Sequence, residues 1–79
     1  MEIHYPIQVK AFPNYLLSIV FNTGEEKIFD MKPYFDDPFF APLQDENVFV
    51  TVRTTPISIE WDGDIDIAPE ELYENSVAV

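Results

Sequence analysis

Asp62, Asp64 and Asp66 occupy alternate positions in the run from Trp61 to Ala68. On a strand that spacing turns carboxylates to one face, where oxygen donors could hold calcium, a hard cation. An EF-hand loop begun at Asp62 requires glycine where Ile67 stands and a bidentate glutamate where Tyr73 stands, so that motif is absent. With Glu70 and Glu71 close behind, the run reads instead as a solvated acidic face suited to a basic protein. Asp62, Asp64, Asp66, Glu70 and Glu71 are therefore the candidate partner-binding residues, and neither a metal nor any other cofactor is expected.

Other reactive types are sparse. His4 is the single histidine, and one imidazole without spaced partners builds neither a zinc site nor a nucleophile relay; a terminal surface residue is expected. A paired-carboxylate acid/base site needs one desolvated carboxyl, and crowding among Asp62, Asp64, Asp66 and Glu70 can raise a pKa without implying catalysis. Gly24 and Gly63, the two glycines, lie far apart in turn-like contexts and make no phosphate loop. No nucleophile, base and oxyanion donor come together in the pattern, so no enzyme is expected.

The charge is distributed unevenly. Through Phe35 the chain carries four acids against Lys10, Lys27 and Lys32, a net −1; beyond it eleven acids face Arg53 alone, a net −10 of the total −11. Such a surface repels phosphate backbones and anionic lipid, which excludes direct nucleic-acid binding and membrane association. The chain has no cysteine, so no disulfide or thiolate site staples it, and a reducing cytoplasm fits. Met1-Glu2-Ile3-His4-Tyr5-Pro6 lacks a basic stretch before an apolar run, and no apolar run reaches roughly 18 residues, so neither export nor membrane insertion is expected.

These residues must be positioned by a small fold. Seventy-nine residues make one domain, hiding roughly 60% of the unfolded surface. A hydrophobic content of 47%, with seven Phe, four Tyr and one Trp, argues for a packed core rather than disorder. Ile7, Val9 and Ala11 alternate with polar residues as in a half-wet strand, and Pro13-Asn14 breaks the run. Tyr15 to Phe21 is apolar and β-rich enough for a strand buried on both faces or central in a sheet. Turn residues Asn22-Thr23-Gly24-Glu25 lead to a third strand at Lys27-Ile28-Phe29, completing an antiparallel meander.

Pro33, Pro38 and Pro42 forbid a long helix between Met31 and Pro42, where a turn and a packed loop are expected. Tyr34, Phe35, Phe39 and Phe40 there either close the core or form an aromatic docking patch, the core being favoured in so small a domain. Asp45 can cap a short helix placing Val48, Phe49 and Val52 on one face, although Val48 to Val52 also reads as a strand. Ile57, Ile59 and Trp61 alternate with Ser58, Glu60 and Asp62, predicting a strand with an apolar inner face. Asp62-Gly63-Asp64 turns into a hairpin partner bearing Ile65 and Ile67. Pro69, Glu70 and Glu71 open a helix anchored by Leu72 and Tyr73, with Asp66 near enough to cap it. The fold class expected is α+β, a small antiparallel meander of about four to five strands with one or two short helices. Its core spans about 5–74, and the tail from Asn75 to Val79 is mobile unless Val77 and Val79 dock.

Three stretches resemble the small bacterial family known as domain of unknown function 2442. They are Phe21, Gly24 and Phe29-Asp30; Phe40, Leu43, Asp45, Phe49 and Val52; and Ile59, Trp61, Asp66-Ile67-Ala68-Pro69 and Leu72-Tyr73. The resemblance covers about Val9 to Glu74 and is most specific in the last stretch. It implies a small α+β domain with no known catalytic residues. Family members occur alone or joined to a helix-turn-helix segment, and their neighbouring small genes suggest toxin and antitoxin pairs. The few residues after Tyr73 are expected to be too short for such a segment.

The expected function is a small acidic protein-binding or regulatory module, antitoxin-like in form, that docks a basic protein. The alternative is a small-ligand or ion-sensing domain of a transcription regulator type lacking its helix-turn-helix. A homodimer would cover an exposed strand edge, whereas the charge of −11 opposes self-association.

Overall fold

The almost continuously apolar segment Leu16–Phe21 (β2) is an inner strand of a sheet in a computed structural model that describes residues 3–79. Met1 and Glu2, read above as part of the N-terminus, lie outside the described residues. Pro6–Phe12 (β1) and Glu26–Asp30 (β3) flank β2 antiparallel on either side. Leu17, Ile19 and Phe21 turn one face of β2 wholly into the core, while Leu16, Ser18 and Val20 are half-buried on the other. β2 is thus central in its sheet but fully buried on one face only. Val9 and Ala11 pack against the core as their spacing predicts. Ile7 does not and is half-exposed, because the β1–β2 register shifts between Pro6 and Gln8 and a bulge resets the alternation there.

The β1–β2 turn places Asn14 and Tyr15 at φ of 67° and 60°. A left-handed backbone is costly for tyrosine, and the side chain supplies the compensation. Its ring meets Phe35 and Phe49 edge-on, and its hydroxyl donates to the Gln44 carbonyl.

After β3 the prolines allow only 3-10 turns, at Lys32–Tyr34 and Ala41–Gln44. Phe40 is buried, Tyr34 and Phe35 are half-buried, and Phe39 alone of the four aromatics protrudes. Asp45 caps a single helical turn, Glu46–Phe49 (α1), accepting the Asn47 N–H at 2.9 Å. The helix ends by tightening: the Thr51 and Val52 N–H groups donate three residues back to the Val48 and Phe49 carbonyls at 3.0 and 3.4 Å, and the Thr51 hydroxyl also donates to the Val48 carbonyl at 2.6 Å.

Arg53–Thr54 (β4), Ile59–Trp61 (β5) and Ile65–Ile67 (β6) form a second antiparallel sheet in that order. Gly63, at φ 90°, permits the β5–β6 turn. Ile59, Trp61, Ile65 and Ile67 point inward. Ile57 departs from the predicted pattern: it precedes β5 and is 68% exposed. The Thr55 hydroxyl accepts N–H bonds from Ile57 and Ser58 at 3.2 and 2.8 Å, and this local turn sends Ser58 inward, where its hydroxyl bonds the Ile67 carbonyl at 2.6 Å.

Pro69–Asn75 (α2) follows β6 directly, with Pro69 in its first turn and Leu72 fully buried. The expected cap does not form. Ala68 is the N-cap, and no side chain bonds the helix start. Asp66 is held two residues earlier inside β6, opposite Glu60, so its side chain stands off the sheet instead of reaching the helix axis. The last segment, Val77–Ala78 (β7), pairs with β3 through Lys27↔Ala78 and Ile28↔Val77. Its backbone docks while Val77 and Val79 remain exposed.

The fold is therefore α+β, with a four-stranded sheet β1-β2-β3-β7 and a three-stranded sheet β4-β5-β6. Both sheets close on one core that includes Trp61, Phe29, Met31, Leu43 and Leu72. No helix among the described residues is long and apolar enough to cross a membrane.

Candidate functional site

The outer face of the second sheet carries one polar row. The pairings Arg53↔Glu60 and Glu60↔Asp66 run it across all three strands. Arg53 donates to Glu60 Oε2 from Nη2 at 2.8 Å and from Nε at 3.2 Å, and from Nη1 to Asp62 Oδ1 at 2.8 Å. Asp62 first and Glu60 second push the guanidinium pKa up, reinforcing a permanent cation.

The five predicted acids fall into different environments. Asp62 is engaged by Arg53, and its backbone N–H donates to the Thr51 hydroxyl at 3.0 Å. Asp64 sits at φ 61° in the hairpin turn. Asp66 lies mid-strand facing Glu60, and Glu70 and Glu71 occupy the first turn of α2. All five are exposed. Among the described residues no group of three His, Cys, Asp or Glu side chains could hold a metal ion, because the turn and the Arg53 pairing separate the three aspartates that alternate in sequence. Glu71 acts on Tyr34, whose hydroxyl pKa is raised by burial first and by the Glu71 charge second.

Glu60, Arg53 and Ile57 belong to this surface and were not among the predicted site residues. Arg53 had one sequence signal, being the only cation after Phe35. Glu60 gave none, since pairing register between separate strands is not written in local alternation. Beside the row, a shallow concavity of about 650 Å³ runs between Thr55–Glu60 and Asp66–Pro69, and Ile57 lines it.

A second constellation joins the chain ends. Tyr73 stacks on His4 at 3.8 Å and meets Phe21 edge-on, while Lys27 Nζ lies 3.9 Å from the Tyr73 ring centroid. The Tyr73 hydroxyl donates to Glu25 Oε1 and Oε2 at 2.8 and 3.0 Å. That bond, followed by one from Thr23, holds the Glu25 carboxyl below the usual glutamate value. His4, expected as a terminal surface residue, is half-buried here. The signal for Lys27 was its parity with the inward residues Phe29 and Met31. These contacts brace the N-terminal segment and β3 against α2.

A family model described as "Protein of unknown function (DUF2442)" matches residues 6–78. No curated protein and no solved structure matches the chain.

Proposed function

Because the chain belongs to DUF2442, a family of proteins of unknown function, its role has to be read from its surface, and we propose a small acidic module that docks a basic protein. The supporting observation is that each lysine and arginine side chain is engaged within the chain. Lys10 lies over the Phe12 ring at 5.5 Å, Lys27 is buried against Tyr73, Lys32 pairs with Asp30 at 3.0 Å, and Arg53 holds Glu60 and Asp62. Among the described residues no cation pairs with Asp64, Asp66, Glu70 or Glu71. A surface with unanswered charge attracts an opposite one, speeds the encounter and repels nucleic acid and anionic membranes.

An antitoxin whose partner is a small basic toxin is one form of this reading, and a cytoplasmic setting accords with it. The test is capture on the tagged, folded protein from its native host, followed by titration of the purified partner at low and high salt. One small basic protein bound tightly at low salt and released as salt rises is the expected outcome, since exposed charge pairs are screened. Affinity independent of salt, or no specific partner, counts against it.

A further inference from the structure

Ile57 is a large apolar side chain, 68% exposed, held outward beside Glu60 and Asp66. Single exposed apolar residues are ordinary and need no partner. Two features set this one apart. It lines the concavity of about 650 Å³ whose other walls include Pro56, Ala68 and Pro69, so an apolar side chain from outside would meet an apolar surface rather than one methyl group. Its exposure is also fixed by the Thr55 hydroxyl, which holds the turn by accepting from both Ile57 and Ser58. A preorganised anchor loses little entropy on binding.

The rim of the same concavity has an electrostatic deficit. Glu60 and Asp66 stand directly opposite each other on β5 and β6, an arrangement of like charges that destabilises an isolated sheet. Arg53 answers Glu60 from the β4 side at 2.8 Å, and no cation among the described residues answers Asp66. Glu70 and Glu71 follow Pro69 and add charge of the same sign. The complement of this surface is an apolar side chain flanked by positive ones.

We infer that the Thr55–Ser58 turn, the Glu60–Asp66 pair and the start of α2 form the docking surface for a basic segment of a protein partner that carries an apolar anchor. The anchor packs on Ile57, Pro56 and Pro69, and a flanking lysine or arginine answers Asp66. This rests on the reading of the protein as an acidic binding module and adds where the partner sits and what its segment contains.

The probes are two short synthetic peptides: one rich in lysine with a central leucine, and a twin with serine in place of that leucine. Each is titrated into the isotope-labelled full chain at low and high salt and followed by amide chemical shifts. The leucine peptide is expected to move residues 55–60 and 66–71 and to bind more tightly than its twin. Ile57→Ser and Asp66→Asn, at exposed positions and checked by melting, should each weaken it at least about fivefold, as loss of an interface anchor does. Salt-sensitive binding that ignores the leucine and Ile57, or maps elsewhere, overturns this surface and leaves the acidic module standing. Binding of neither peptide at low salt overturns both.

Discussion

Lys27 Nζ donates to the Tyr73 carbonyl at 2.8 Å while lying 3.9 Å from the centroid of the same residue's ring. Tyr73 is in the last turn of α2, where backbone carbonyls lack helical partners and the helix dipole favours a cation. The ring adds a cation–π contact. A lysine 9% exposed thus ties β3 to the end of the helix.

Replacing that lysine with methionine keeps the apolar stem and removes the charge. Lys27→Met is expected to cost about 1–2 kcal/mol, from the charge-assisted bond and the ring contact, less the relief from desolvating an ammonium. Chemical denaturation measures it. A variant as stable as the parent would mean that desolvation cancels both contacts.

The Tyr73–Glu25 bond makes part of the stability pH-dependent. Since the folded-state Glu25 pKa is lowered, first by Tyr73 and then by Thr23, its contribution is complete above the ordinary value of 4.5 and fades as pH falls through the folded value. Tyr73→Phe should therefore melt below the parent at neutral pH, with the gap narrowing in acid below 4.5. A gap constant across that range would assign the loss to something other than carboxylate ionisation.

Two aspartates test where capping resides. Asp45 accepts the Asn47 N–H at 2.9 Å, so Asp45→Ala should cost about 1 kcal/mol, lowering Tm by about 4–8 °C in a domain of this size. Asp66→Ala should cost nothing measurable, because the residue caps no N–H of α2 and its removal relieves the opposition to Glu60. Equal losses at the two positions would contradict this assignment.

The C-terminal strand gives a further test. Deleting Val77, Ala78 and Val79 removes the pairing with Lys27 and Ile28, and the Val79 N–H bond to the Glu26 carbonyl at 3.2 Å. Because the lost valines are exposed, the expected cost is modest, about 1 kcal/mol of backbone bonding, with faster hydrogen exchange along β3. Unchanged exchange there would show that β7 contributes no protection.

Much of the fold was legible in local pattern. Alternation marks β1, β5 and β6 because period two decides which side chains share a face, while β2 shows as a nearly continuous apolar run and β3 follows from the turn before it. Pro33, Pro38 and Pro42 preclude a long helix through their missing N–H groups, and Asp45 announces α1. The patterns misled at Ile7 and Ile57, where a bulge and a side-chain-bonded turn each reset the parity within a residue or two. Asp66 misled for another reason: proximity in sequence to a helix start does not aim a side chain held in a strand. Of the candidate surface, the acids were visible as a run, and their division into paired and unpaired groups was not.

By itself, the sequence determined the strand periodicity, the turn positions and the segregation of nearly all the charge beyond Phe35, since each depends on neighbours within a few residues. Only the tertiary structure decided that Asp66 would face Glu60, that Arg53 would answer Glu60 and Asp62, that Lys27 would meet Tyr73 and that Val77–Ala78 would close the sheet. Lys27 and Tyr73, like β3 and β7, come from segments far apart in the chain, and their pairing is chosen by the burial of one shared core, a sum over the whole molecule that no local window contains.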